Sequence, residues 1–185
     1  MLNELISQSE ALVFFTGAGI STNSGIPDFR GPKGIWKTSQ PIYFQDFVNS
    51  KEKRIESWER KFSNELNIHK AKPNQGHLKI AEIMNKKDLS HLITQNVDNL
   101  HQESGVSDSQ ITELHGNATY AKCLDCQLRY DLTELKASFL ENKEPPLCNE
   151  CKGLIKTATI SFGQAMPEKE MVIAQKKSIS CDLFI

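Results

Sequence analysis

Hydrophobic residues along this chain follow two alternating periods. Residues 11–16, Ala-Leu-Val-Phe-Phe-Thr, form a continuous apolar run ending at Gly17, the pattern of a strand buried on both faces of a parallel sheet. Before it, Leu2, Leu5 and Ile6 predict an amphipathic helix over 1–10. After it, residues 17–25 predict a strand-to-helix turn, and 25–34, with three glycines plus Pro27 and Pro32, predict a loop. Phe44, Phe47, Val48, Ile55, Trp58, Phe62 and Leu66 then recur at threes and fours, so 41–68 reads as helical. Pro73 opens a further helix carrying Leu78, Ile80, Ala81, Ile83 and Met84, and a strand is predicted over 89–94. Strand, helix, strand is the βαβ order of a parallel sheet. Further on, a short strand is predicted at 109–114, helices near 133–141 and 166–178, and a strand from Cys181.

Composition narrows the class. A length of 185 residues suits one domain, or one domain with a small inserted module, and is enough for a real core. At 38% hydrophobic and 24% charged residues the chain is ordinary for a soluble globular protein. A net charge of −1 offers no electrostatic case for nucleic acid or an anionic membrane as partner. No apolar run reaches the roughly 18–20 residues of a membrane span, and the first residues lack a secretory pattern. Five cysteines are an odd number, which argues against a disulfide framework. A reduced, cytoplasmic location is expected.

Four of those cysteines fall in two Cys-x-x-Cys pairs, Cys123/Cys126 and Cys148/Cys151. Two such knuckles supply four thiolates, a closed tetrahedral set that suits one structural zinc. The fifth, Cys181, reads as a small apolar residue in a buried strand. Gly17-Ala18-Gly19 suits either a tight turn or a close approach of backbone to a phosphate; the third glycine of the dehydrogenase fingerprint falls at 25 instead of 22. Asp28-Phe29-Arg30 lies in the Gly/Pro loop, where its aromatic can cover a planar ring. Gln95-Asn96-x-Asp98 follows a predicted strand, at the sheet edge where open parallel sheets bind ligands, although Asn96 or Asp98 can equally cap a helix. His115, between a strand end and Gly116, is placed to take a proton near neutral pH, whereas His69, His77, His91 and His101 read as structural.

Residues 17–36 (Gly-Ala-Gly-Ile-Ser-Thr-Asn-Ser-Gly-Ile-Pro-Asp-Phe-Arg-Gly-Pro-Lys-Gly-Ile-Trp), 94–101 (Thr-Gln-Asn-Val-Asp-Asn-Leu-His), Leu114-His-Gly116 and the paired cysteines, in that order, resemble the sirtuins, NAD-dependent protein lysine deacylases. The resemblance runs from about residue 10 to Ile185. It implies an α/β fold: a Rossmann-like parallel sheet flanked by helices, with a small inserted zinc-binding module. Residues 1–116 would form the NAD-binding part with cofactor loop and helical insertion, 117–160 the zinc module, and 161–185 the return to the Rossmann-like part. It implies NAD contacts at Gly17, Ala18, Gly19, Ile20, Ser21, Asp28, Phe29, Arg30, Trp36, Gln95, Asn96, Val97, Asp98 and His115. Among these Phe29 would shield the reacting ribose, Gln95 and Asn96 would hold the nicotinamide ribose, Asp98 the carboxamide, and His115 would be the general base. Cys123, Cys126, Cys148 and Cys151 would hold structural Zn²⁺, and Ser161-Phe162-Gly163 would pair with an acetyl-lysine protein or peptide. The implied reaction moves the acetyl group from lysine to ADP-ribose and releases nicotinamide.

The chain departs from the family pattern at three places. Asn99 stands where glycine is expected, and asparagine tolerates a left-handed backbone. Gln164 stands where glutamate is common after Phe-Gly, and the Tyr-x-x-Arg pair of desuccinylating members is missing. The resemblance would also continue past Ile185 into the segment holding the adenine end of NAD. The expectation is therefore weak NAD binding, poor solubility or aggregation, and little or no deacetylase activity for the 185-residue chain alone. Two alternatives are a zinc-stabilised NAD- or peptide-binding module with little catalysis, and a mono-ADP-ribosyltransferase.

Overall fold

The computed structural model describes residues 1–29, 31, 34–37, 39–63 and 68–185, without the side chain of His69. Arg30, Pro32, Lys33 and Leu66, named above, lie outside the described residues.

The chain begins with α1 (Leu2–Gln8), β1 (Leu12–Thr16) and a 3₁₀ turn over Ala18–Ser24. The strand-to-helix turn expected here takes the 3₁₀ form. Glycines at 17 and 19 and a Thr22 hydroxyl donating to the Gly19 carbonyl at 2.9 Å favour the tighter winding. Gly25 closes it at φ 86°, a left-handed position suited to glycine. Next come α2 (Phe44–Asn49) and α3 (Lys51–Phe62). The helical stretch breaks at Ser50 because its hydroxyl caps α3, accepting from Lys53 N–H at 3.1 Å. Asn74 caps α4 (Gln75–Met84) through a capping box with His77.

β2 (His91–Thr94), α5 (Leu100–Glu103) and β3 (Ile111–Glu113) follow. Then come β4 (Gly116–Cys123), β5 (Arg129–Asp131), α6 (Leu132–Asn142), β6 (Ile155–Thr159), α7 (Glu168–Ser180) and β7 (Leu183–Phe184). Strands β3-β2-β1-β7 form one sheet in that order, all parallel, and β5-β4-β6 form a second, antiparallel one.

Each face of the parallel sheet has its own cover. Leu12, Phe14 and Leu92 pack on Ala81 and Met84 of α4, with Ile6 of α1 alongside. On the other face Val13 and Ile93 pack on Ala174 of α7. Helices on both faces of a parallel sheet make the α/β architecture expected from the sequence. β1 is not buried throughout, however. Phe15, one pleat along from Val13, is 41% exposed and sits 6.0 Å from the Phe184 ring.

A separate core serves the antiparallel sheet. Ala121, Cys123, Leu135, Phe139, Cys148 and Ile155 close around Trp58, which stands on α3. The Trp58 ring stacks on Phe62 at 5.3 Å, so α3 belongs in packing terms with the cysteine module. Among the described residues no helix is long and apolar enough to cross a membrane.

Candidate functional site

Three parallel strands end side by side, and the loops leaving them build the site. Thr16, Thr94 and Glu113 are the last residues of β1, β2 and β3, in register. Gln95 N–H donates to the Thr16 carbonyl at 3.0 Å, and Leu114 N–H to the Thr94 carbonyl at 2.9 Å. The polar segments after them, 17–21, 95–98 and 115, therefore meet at the sheet's carboxyl edge, where open α/β sheets bind ligands.

The floor of this edge is a buried hydrogen-bond network. The Ser21 hydroxyl donates to Asp98 Oδ2 at 2.6 Å and accepts from Asn96 Nδ2 at 3.2 Å. Asn96 Nδ2 also donates to the Gly17 carbonyl at 3.2 Å, and Asp98 Oδ1 accepts from Leu100 N–H at 3.0 Å. One layer down, Thr16 Oγ1 donates to Thr94 Oγ1 at 2.9 Å. That hydroxyl has one proton, so its 3.0 Å contact with His101 Nε2 makes the imidazole the donor. Burial, followed by the neighbouring His77, draws the pKa of His101 down to about 4. His101 is therefore a neutral strut, and its ring lies 4.8 Å from His77. Sequence reasoning read both histidines as structural and did not see that they support the polar cluster. The only linear signal for His77 was its place three residues into a capped helix.

His115 sits on the rim, half-buried. Its Nδ1 lies 3.0 Å from the Gln95 carbonyl. A carbonyl can only accept, so Nδ1 carries the proton and Nε2 is left as a proton acceptor. Gly116 is required beside it: φ is 70°, and a Cβ there would strike the Ala158 carbonyl of β6. The imidazole thus stands at the seam between the two sheets.

These walls enclose a cleft of about 1320 Å³, larger than the roughly 300–1,000 Å³ usual for small-molecule sites. Of the sequence-derived residues, Ala18, Asp28, Phe29, Trp36, Gln95, Asn96, Val97, Asp98 and His115 line it. Gly17, Gly19, Ile20 and Ser21 do not line it, although Gly19 is exposed. Ser21 is fully buried with its hydroxyl already engaged, so it supports Asn96 and Asp98 and offers no free face to a phosphate. Phe29 and Trp36 lie 5.4 Å apart, and Trp36 meets Phe162 edge-on at 4.7 Å, forming an aromatic roof. The loop that carries this roof is folded on itself, since Asp28 Oδ1 accepts from Gly31 N–H at 2.9 Å. Phe162 is tied to α2 through its carbonyl, which accepts from Phe44 N–H at 2.8 Å.

The four paired cysteines converge some distance away. Their sulfurs all lie within 4.8 Å of one another, with Cys123 to Cys151 at 3.4 Å and Cys126 to Cys148 at 3.5 Å. Zinc–sulfur bonds of about 2.3 Å in a tetrahedron separate sulfurs by about 3.8 Å, so the set fits one zinc. Each pair turns in the same way: the residue after its second cysteine, Gln127 and Lys152, has φ 62°. The Tyr130 hydroxyl donates to Cys148 at 3.0 Å. The Cys151 backbone N–H and then Tyr130 draw the Cys148 thiol down to about 6. Such donors favour a thiolate, the form that binds metal.

The parallel sheet with a polar cleft at its carboxyl edge, joined to a four-cysteine module, defines an α/β ligand-binding protein with a structural metal site. The Sir2 family model matches residues 17–185, and the chain belongs to that family. A Bradyrhizobium diazoefficiens protein named NAD-dependent protein deacetylase 1 is 48% identical over 184 residues, covering 100% of this chain and 72% of the relative. A Rhodopseudomonas palustris NAD-dependent protein deacetylase is 45% identical, with 100% of this chain and 73% of the relative covered. Among solved structures, a Sir2 complex with p53 peptide and NAD⁺ is 35% identical with a TM-score of 0.80, covering 99% of this chain and 72% of that one.

Proposed function

We propose that this chain carries the catalytic cleft of an NAD-dependent protein lysine deacetylase, with acetylated lysine in a protein or peptide as substrate and one structural zinc. The observation that carries this reading is the convergence of Asn96, Asp98 and His115 on one cleft beneath an aromatic roof. NAD, when bound, supplies a ribose carbon whose bond to nicotinamide breaks as the acetyl group is taken up.

The residues present fit that cofactor. A Cβ at Gly19 would meet no protein atom within 4 Å, so the backbone there has open space beside it for a ligand. Asn96 has both its Nδ2 bonds made within the protein, which turns its Oδ1 outward to accept from a ribose hydroxyl. Asp98 is fixed by Ser21 and Leu100, so its remaining lone pairs hold one orientation and meet a carboxamide donor without reorganising. His115 Nε2 takes a proton from a ribose hydroxyl while Gln95 holds the ring. Phe29, Trp36 and Phe162 exclude water, which protects an electron-poor sugar from hydrolysis. The acetyl-lysine peptide lies along Ser161-Phe162-Gly163. The cytoplasm is the compartment that suits five unpaired cysteines.

Incubation with NAD and an acetylated peptide, with nicotinamide, free lysine and acetyl-ADP-ribose quantified together, tests the reading. Equal amounts of all three are expected. Nicotinamide release with ADP-ribose attached to protein would make the chain a transferase, and no release with intact NAD and peptide binding would make it a binding module.

A further inference from the structure

A second cavity, of about 540 Å³, lies between the antiparallel sheet and residues of α5, β3 and α7. It contains an arrangement that folding alone disfavours. Lys122 of β4 pairs directly with Arg129 of β5 on one side and with Lys156 of β6 on the other. Directly opposed residues in an antiparallel pair share a face, so three cations stand in a row across three strands, where like charges repel.

Lys156 is the telling member. It is 5% exposed, and its ammonium donates only to the main-chain carbonyls of Thr157 and Thr159. Burial draws its pKa down to about 8. Among the described residues none of the three cations takes part in an ion pair. Arg129 lies over the Tyr120 ring, 3.8 Å from its centre. Carboxylates do stand on the far wall. Glu113, though, is engaged by Gln102 at 2.9 Å and Asn117 at 2.8 Å, and among the described residues neither Glu170 nor Asp108 forms an ion pair with the row. A buried ammonium without a counter-charge is unfavourable, and a ligand anion offsets that cost.

We propose that this cavity binds a phosphate group on Lys156, Lys122 and Arg129, separately from the NAD cleft. A tetrahedral dianion presents enough oxygens to meet two ammonium groups and a guanidinium fork at once, whereas a carboxylate presents two. The site does not depend on the deacetylase reading.

Amide NMR of the whole chain, titrated with inorganic phosphate, pyrophosphate and ribose 5-phosphate in the presence of saturating NAD, tests it. Saturable shifts at Tyr120, Lys122 and Lys156 are expected with at least one of the three, and whichever binds tightest tells free phosphate from a phosphorylated metabolite. Lys122→Gln and Arg129→Gln alter the half-buried middle and the exposed end of the row, and each should weaken binding roughly tenfold. Lys156→Met, which keeps the volume and removes the buried charge, should abolish it. Shifts confined to residues 17–21, no saturable shifts, or affinities unchanged in both glutamine variants would overturn the proposal.

Discussion

The Ser21 hydroxyl donates a 2.6 Å hydrogen bond to Asp98, joining the turn after β1 to the loop after β2. Both residues are buried, and the same hydroxyl accepts from Asn96. Ser21→Ala leaves an amide donor and a carboxylate each short of one partner, at a cost of about 1–3 kcal/mol. The expected outcome is a lower denaturation midpoint and a fall in deacetylation, because Asp98 loses its fixed orientation. Unchanged values of both would show that the cluster does not depend on this bond.

His115→Ala should remove deacetylation by about 10²–10⁴-fold with zinc content and thermal midpoint retained, since the ring sits on the rim and not in either core. The comparison requires a preparation in which the parent is active. Activity within about threefold of that parent would remove His115 from the role of general base.

Zinc analysis of reduced, freshly purified protein should find close to one ion per chain. Chelation should unfold the cysteine module ahead of the parallel sheet, because in so small a module the binding energy of the metal is folding energy. Trp58 reports this directly. It shares a core with Cys123 and Cys148, so its fluorescence should shift to the red before the far-ultraviolet helix signal is lost. Coincident loss of both signals would show that the two cores unfold as one.

Acid should destabilise the fold through two buried histidines. Burial draws both His91 and His101 down to about 4, with Lys177 assisting at His91 and His77 at His101. The unfolded chain protonates them near 6.5, so between about 4 and 6.5 it binds more protons than the native state. Stability is therefore complete above about pH 6.5 and falls as the pH drops toward 4. The expected loss from pH 7.5 to 5 is on the order of 1–2 kcal/mol per histidine, read from urea midpoints. His91→Gln keeps a partner for the Thr112 hydroxyl, which His91 meets at 2.8 Å, and should flatten part of this slope.

Asn99 takes φ 67°, and its side-chain oxygen accepts from Asn117 Nδ2 at 3.0 Å. Asn99→Val should cost about 1–3 kcal/mol, since a β-branched residue is strained there. Asn99→Gly relieves the backbone and loses only the hydrogen bond, so it should be clearly milder. Thermal midpoints of the two variants decide this; equal losses would place the cost in the Asn117 bond.

Much of this protein was legible in its sequence, where short-range patterns carry the signal. The apolar run before Gly17, the threes and fours of α4 and the cysteine spacing depend on local geometry, and they gave the parallel sheet and the four-sulfur cluster. Asparagine at 99 was compatible with a left-handed turn on the same local grounds. Other features depended on contacts between distant parts of the chain. The family resemblance implied an NAD contact at Ser21, and only packing against Asp98, far along the chain, shows it buried. Trp58 was a helical apolar residue with no stated partner, and the tertiary structure assigned α3 to the cysteine core. The row of Arg129, Lys122 and Lys156 is invisible in linear order, since strand register alone sets three cations opposite one another. The sequence by itself thus determined what repeats within a few residues; which side chains are buried, opposed or free to meet a ligand was decided by pairing across strands and between elements.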